Sequence, residues 1–466
     1  MGKKMAEKVR NLPSLVVLLK PDIDELIKAK EWREIKDLIL SWEAPDIADL
    51  LRELQPDEML ILFRMLPQAM QSEVLAEMDT EDQELIIKSL TDEQVKSVIA
   101  ELTPDDRTEL FEELTPVLTR KLLSLLPQDE RKEALQLLGY PENSVGRLMT
   151  PDYVALNYRW SIAQAMQHIR EVGIDAETIN VVYVVDDEWH LLDDIPLRRL
   201  ILADPAQSVE SLMDHSFIAI NAHADQEEAI KPIKRYDLVA LPVTDSEGHL
   251  LGIVTIDDIV DVIEEEQTED LTKIAAIEAA PVGLDFITNI KEIPLTKLFR
   301  SRVTWLVALL LMDLITGGII QGFEATIAKY VVLVTFLPVL VDTAGNAGAQ
   351  SATLVIRAMA LGLVKMKDWL LLFSREILVA LGLGITMGLG ISVMGIVRGG
   401  SAQIALVVIA SMIINVIVGS LIGVLLPFIF AKFKKDPAAA STPLITSLAD
   451  IIGTGIYLGV ARVFLG

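Results

Sequence analysis

Five long apolar stretches crowd the last third of this chain, and they constrain it more than any other feature. A membrane helix needs about 20 mostly apolar residues. Such segments run over roughly 303–323, 328–364, 371–397, 402–430 and 439–464. Charge is split the same way. Residues 1–300 hold 60 of the 67 Asp and Glu and 30 of the 41 Lys and Arg, a net of −30, whereas residues 301–466 carry a net of +4. An acidic soluble part therefore precedes a nearly uncharged membrane part. Basic residues set the orientation. Arg300 and Arg302 precede the first span, Lys365, Lys367 and Arg375 lie between the second and third, and Lys432, Lys434 and Lys435 lie between the fourth and fifth. The other side shows Lys329, Arg398 and Arg462. The positive-inside rule then places the N-terminus in the cytoplasm and the C-terminus outside, as an odd number of crossings requires. The opening residues, MGKKMAEKVRNLPSLVVLLK, lack a small-residue cleavage site and read as a mature N-terminus.

Two polar interruptions mark the membrane part. The second apolar segment carries DTAGNAGAQS, Asp342 to Ser351, and the fifth carries one acid, Asp450, after Thr442, Thr446 and Ser447. An ionisable residue within a span is costly and by default marks an ion path. Gly345 and Gly348 predict an unwound stretch, which is tolerated at membrane depth where it lines water or is buried in protein. Asn346 and Gln350 would satisfy the freed backbone groups or the waters of an ion, and Asp342 would line the path or anchor the break. The chain has no cysteine, and all five histidines (His168, His190, His215, His223, His249) precede the membrane part. Soft-ligand metals are thus disfavoured and an oxygen-only site remains. Mg²⁺, which keeps most of its waters and uses one or two carboxylates, suits so sparse a set of acids better than Ca²⁺, which takes more direct oxygens.

The soluble part divides into two textures. Between residues 54 and 126 an apolar position returns every twelve residues: Leu54, Leu66, Met78, Leu90, Leu102, Leu114 and Leu126. Turn chemistry follows most of them, as in LTPDD, where Thr103 suits an N-cap, Pro104 the first helical position, and Asp105 and Asp106 the positive helix end. Short helices at a fixed period predict an all-α superhelical solenoid. From Ser144 onward an α/β pattern occurs twice. GRLMTPDYVALNYRWSIAQAMQHI is echoed by ESLMDHSFIAINAHADQEEAIKPI, and VYVVDDEWHLLDDIPLRRLI by LPVTDSEGHLLGIVTIDDIV. Each copy resembles a CBS domain, and two in tandem form a Bateman pair. The likeness is sharpest at GIVTIDD. It implies that Thr255 and Asp258 occupy positions that hold the ribose and phosphates of an adenine nucleotide such as ATP. The first copy has Asp193 and Pro196 where the second has Gly252 and Thr255, so one such site at most is expected.

An acidic run follows: DDIVDVIEEEQTED, Asp257 to Asp270, with eight carboxylates and no base. On a helix it aligns Asp258, Asp261, Glu265 and Glu269 in one stripe of repelling charge. The plainer interpretation is a solvated helix face. The stripe's place before the first span favours neutralisation by divalent cations.

Taken together, the chain resembles the MgtE family of magnesium channels and transporters. PVLVDTAGNAGAQSATLVIRA and STPLITSLADIIGTGIYLGVAR carry the resemblance most specifically. The family usually has Gly where Ala344 stands and a polar residue where Ala349 stands. The resemblance implies a helical N-terminal solenoid domain (1–143), tandem CBS domains (144–262), a connecting helix (263–300) and a polytopic α-helical membrane domain of five helices (301–466). It implies a homodimer in a bacterial inner membrane with a pore on its two-fold axis. Asp450 would be the ion site, accompanied by Asp342, Gly345, Asn346, Gly348 and Thr442. Cytoplasmic Mg²⁺ would close the gate at Asp225, Asp237, Asp258, Asp261, Glu266, Glu269 and Asp270, with Asp105 and Glu109 as partners and Asp436 facing the connecting helix.

Two other classes compete. One is a broader divalent-cation carrier, for Co²⁺, Mn²⁺ or Ni²⁺, in which Asp313, Asp342 or Asp450 carries protons. The other is a membrane-anchored nucleotide sensor, which has no need of polar residues within its spans. No catalytic triad, phosphate loop or redox motif points to an enzyme. So acidic a chain offers no basic face for nucleic acid.

Overall fold

The computed structural model describes residues 15–277, 295–399 and 401–466. The N-terminal start and the connecting helix beyond residue 277 lie outside the described residues. Two compact units, Met1–Ile263 and Glu264–Gly466, are taken in turn.

In the first unit the twelve-residue period becomes a run of short helices: α1 (Leu15–Ala29), α2 (Trp32–Ile39), α3 (Ala44–Arg52), α4 (Pro56–Met65), α5 (Gln68–Ala76), α6 (Thr80–Ser89), α7 (Asp92–Glu101), α8 (Pro104–Glu113), α9 (Pro116–Leu125) and α10 (Gln128–Leu137). Leu66, Leu90, Leu102, Leu114 and Leu126 are the C-caps of α4, α6, α7, α8 and α9. Each is extended in backbone and buried. The recurring apolar residue thus ends each helix, turns the chain and fills the core. Alternate helices stack, α3 on α5, α5 on α7, α7 on α9 and α8 on α10, over one continuous apolar core from Ile23 to Ala134. Thr103 does sit at the N-cap of α8, with Pro104 in its first turn, but its hydroxyl accepts no backbone hydrogen bond there.

After the short helix α11 (Val145–Leu148), the repeated α/β pattern builds two three-stranded sheets of the same order. They are β1 (Ala155–Asn157), β2 (Val181–Val185) and β3 (Leu191–Pro196), then β4 (Ile220–Asn221), β5 (Ala240–Thr244) and β6 (Leu250–Thr255). In each sheet the first pair is parallel and the second antiparallel. The parallel crossovers are α12 (Ile162–Val172) and α14 (Gln226–Tyr236), while α13 (Leu197–Leu202) follows β3. The copies are stitched together: Thr150, ahead of the first sheet, exchanges two backbone hydrogen bonds with Ile253 of β6. One helix, α15 (Ile256–Ile274), leaves the second copy.

Among its described residues the second unit has five helices long and apolar enough to cross a membrane. They are α16 (Leu295–Gly322), α18 (Leu337–Ala360), α19 (Trp369–Gly399), α20 (Ala402–Lys432) and α21 (Thr442–Leu465), with the short α17 (Glu324–Lys329) after the first. Helix α16 begins ahead of Arg300 and Arg302, so both lie within it.

DTAGNAGAQS is not unwound. It is regular α-helix from Leu337 to Ala360, and the departure from α geometry lies upstream, where Val331–Thr335 forms a 3₁₀ turn. Two forces keep the stretch helical. In lipid every backbone group must be paired internally. The glycines are also used for helix packing. A Cβ at Gly348 would stand 2.6 Å from the Gly419 carbonyl oxygen and 2.9 Å from Ile445 Cγ2. In return, Cβ atoms at Gly419 and Gly423 would collide with the carbonyls of Ala344 and Gly348. Ala344 and Gly348 on α18 thus face Gly419 and Gly423 on α20. Each pair is a small-xxx-small motif, which lets two backbones touch.

Candidate functional site

With its small residues turned into that seam, α18 leaves Asp342, Asn346 and Gln350 on the opposite, exposed face, one turn apart. Asn346 Nδ2 donates to Asp342 Oδ2 at 3.1 Å. Four residues apart is the spacing at which helical side chains meet. Beside Asp342 lies a cavity of about 250 Å³, lined by Thr316 of α16, Leu337, Pro338, Val341 and Asp342 of α18, and Thr446, Asp450 and Thr454 of α21. Asp342 and Asp450 therefore open into one space, with Asp313 also within electrostatic reach of Asp450. Thr446, Asp450 and Thr454 recur every four residues on one face of α21, a spacing visible in the sequence that points to them as a set. Thr316 carries no such signal, and its buried hydroxyl has no hydrogen-bond partner among the described residues. Thr442 does not reach the cavity. It opens α21, and its carbonyl accepts from Thr446 Oγ1 at 2.9 Å. Gly345 sits against Thr446, where a Cβ would be 3.0 Å from Cγ2. The cavity thus offers two carboxylates and three hydroxyls, all hard oxygen donors suited to a hydrated divalent cation.

Helix α21 is fixed from behind. Asn415 Nδ2 of α20 donates to the Gly453 carbonyl at 3.2 Å, and Tyr457 Oη donates to the Leu333 carbonyl at 2.9 Å.

The acids of the first unit gather elsewhere. Asp105 and Asp106 at the start of α8 interact with Asp257 and Asp258 at the start of α15, and with Glu177 and Asp152 from loops around β1 and α12. Burial first, then Asp105, pushes the Asp258 carboxyl up to about 8. Burial, Asp105 and Asp257 lift Glu177 to about 7, and burial with Asp105 lifts Asp106 to about 6. Burial and then Asp261 raise Glu77. Such shifts mark carboxylates crowded without enough compensating charge.

The predicted cation residues are only partly assembled. Asp258 and Asp105 belong to that cluster. Glu109 and Asp261 are exposed on neighbouring turns, and Asp225 and Asp237 lie exposed at the two ends of α14. Asp225 is its N-cap, accepting from Glu227 N at 3.0 Å, and Asp237 is its left-handed C-cap at φ 53°. In the second unit Glu266, Glu269 and Asp270 lie on α15, and Asp436 caps the 3₁₀ turn Pro437–Ala439. Among the described residues no three His, Asp or Glu converge closely enough to hold a metal ion. Asp152 and Glu177 complete the cluster without any signal in the sequence, whereas Asp106 and Asp257 were visible there only as a helix-end acid and as the start of the acidic run. Thr255 Oγ1 is engaged by Asp257 and donates to Asp258 Oδ2 at 2.9 Å, so this pair forms the cap of α15.

Comparison with known proteins places these features. Family models match residues 337–460 as a divalent cation transporter, residues 42–143 as the MgtE intracellular N domain, and residues 209–265, the second copy, as a CBS domain. A magnesium transporter MgtE of Thermus thermophilus is 39% identical over 329 residues, 71% of this chain and 72% of that one. One from Bacillus subtilis is 37% identical, with 71% and 72% covered. Among solved structures, the cytosolic domain of the Mg²⁺ channel MgtE in complex with ATP is similar at a TM-score of 0.50. It is 32% identical over 51% of this chain and 98% of that one. Solenoid, CBS repeat and membrane helices match in one order, at an identity no chance likeness reaches: the chain belongs to the MgtE family.

Proposed function

We propose that this chain is a Mg²⁺-selective channel or transporter that admits Mg²⁺ across the bacterial inner membrane. It works as a homodimer with the N-terminus cytoplasmic and the C-terminus outside. The observation that carries the reading is the intramembrane cavity that Asp342 and Asp450 share with three threonines. At the ion site Asp450 supplies the charge, doubled by the second copy, and Asp342, Asn346 and the threonines hold the ion's waters. The exposed polar face of α18 suits a path between two copies, since lipid would leave it unpaired.

Closure by cytoplasmic Mg²⁺ is part of the same reading. Crowded carboxylates such as Asp105, Asp106 and Asp258, whose protons are held by burial and by one another, repel when ionised, and a divalent cation relieves that repulsion better than a proton does. The sites are Asp105, Glu109, Asp225, Asp237, Asp258, Asp261, Glu266, Glu269, Asp270 and Asp436. An adenine nucleotide at Thr255 and Asp258 would have to displace the cap of α15, which links nucleotide to helix position.

Single-channel recording from purified protein in planar bilayers tests this. Mg²⁺ currents should fall as Mg²⁺ is raised on the cytoplasmic side, and Asp450→Asn should keep the fold while losing preference for Mg²⁺ over Na⁺ and K⁺. Unaltered selectivity in that variant would remove Asp450 from the path. Uptake into liposomes that needs a proton gradient would favour the carrier class, with Asp313 as relay.

A further inference from the structure

The first base after the acidic run of α15 is Lys273, and it lies between two carboxylates that the proposed function gives to a cation. Lys273 Nζ is 2.6 Å from Asp436 Oδ2 and also contacts Glu269, one turn back on its own helix. All three are about one-third to one-half exposed. Asp436 is meanwhile fixed by its other oxygen, which accepts from Ala438 N at 2.8 Å. The next residue, Ile274, packs against an apolar cluster made by Ala352 and Ile356 of α18 with Ala438, Ala440 and Ile445 of the loop and first turn of the helix that carries Asp450. The end of α15 is therefore held beside the base of α21 by this ion pair over that apolar cluster.

We propose that Lys273 is a latch: a tethered cation that holds α15 to the loop before α21 when divalent cation is scarce, and that competes with divalent cation for Asp436 and Glu269 when it is plentiful. This rests on the metal-binding reading above for its second half only. An ammonium is a compact point charge with three donors, able to satisfy two carboxylates at once. A divalent ion at the same oxygens carries twice the charge, so displacement depends on concentration. Lys273 is a positioning residue here. It acts on the path through the loop and touches no ion in it.

The chain has no cysteine, so spin labels at Leu271→Cys and Lys434→Cys in the full-length protein in nanodiscs report the distance across the latch. In EDTA the parent should give one narrow distance, Lys273→Gln a broad and longer one, and Lys273→Arg the narrow one again. Adding Mg²⁺ should shift the parent to a second narrow distance, with the divalent ion in place of the ammonium, and should bring Lys273→Gln to that same distance at a midpoint about fivefold lower, the factor that ~1 kcal/mol of ion-pair coupling gives. A narrow distance for Lys273→Gln in EDTA would overturn the latch. An unchanged Mg²⁺ midpoint would overturn the competition. If Mg²⁺ alters the parent's distance at no concentration, the metal reading of this site fails, and the EDTA comparison still decides the latch.

Discussion

Gly423 and Gly455 are both helical glycines of the membrane unit, and their surroundings give them opposite roles. A Cβ at Gly423 runs into the backbone of Gly348, whereas one at Gly455 meets nothing within 4 Å. Gly423→Ala should therefore cost at least about 1–3 kcal/mol, the usual penalty of overpacking, because a backbone carbonyl has no rotamer to retreat into. Gly455→Ala should leave stability unchanged or slightly raised, as Ala is the better helix former. Thermal unfolding in detergent of both variants checks the contrast, and equal midpoints would show that the seam is looser than described. The same physics separates what the sequence disclosed in DTAGNAGAQS from what it hid. That its glycines admit a close neighbour was legible. That they do so inside an intact helix was not, because their neighbours, Gly419 and Gly423 for Gly348 and Thr446 for Gly345, lie far along the sequence. The i, i+4 row of Asp342, Asn346 and Gln350 would have disclosed a helical face had the glycines not suggested unwinding.

At the scale of elements, the two CBS copies meet where their turns pair. Leu191 N donates to the Gly248 carbonyl and Leu250 N to that of Trp189, and the rings of His190 and His249 stack with centroids 4.3 Å apart. Each imidazole has its Nδ1 on an aspartate, His190 on Asp186 at 3.0 Å and His249 on Asp245 at 2.8 Å, with Glu188 and Glu247 close by. The hydrogen bond to Asp245 raises the His249 pKa, and the same bond holds Asp245 down at about 2. A raised His pKa stabilises the folded state fully below the unfolded value of about 6.5 and is lost as pH rises through the folded value. A depressed Asp pKa stabilises above its unfolded value of about 3.9 and is lost as pH falls towards 2. The turn pair should accordingly be tightest between about pH 4 and 6.5. Proton NMR of the His249 ring should show a midpoint above that of an ordinary histidine, and Asp245→Asn should lower it. An Asp245→Asn midpoint equal to the parent's would leave the pairing without electrostatic content. The repeated His-Leu-Leu marked the two turns as equivalent. Their stacking needs the pseudo-two-fold arrangement, which no local pattern encodes.

Across the whole molecule, the separation of acid from oil along the chain fixed which parts enter the membrane, and the twelve-residue period fixed the solenoid. The cluster around Asp105 and Asp258 was only half visible, because Glu177 and Asp152 reach it from loops without a periodic signature. Replacing Asp258, Asp261 and Glu269 together by Ala or Gln should raise channel activity at high cytoplasmic Mg²⁺ and weaken Mg²⁺ protection of the connecting helix (263–300) against protease. Several modest sites acting on one two-state arrangement suffice, since about 5.5 kcal/mol of differential binding carries a population from 1:99 to 99:1. Unchanged Mg²⁺ dependence in both assays would return the acids to a solvated face. The solenoid carries a different consequence, for heredity. Alternate helices stack, so its structural unit is a pair of helices, and most pairs are bounded at both ends by a buried Leu or Met at the corner. Excising residues 67–90 would join Leu66 to Thr91 and recreate the Leu-Thr corner found at Leu102–Thr103 and Leu114–Thr115. An in-frame loss or duplication of that size rebuilds the packing it interrupts, whereas the loss of one codon within a helix rotates an apolar face into water. The domain is thus built to change length during evolution by whole pairs of helices.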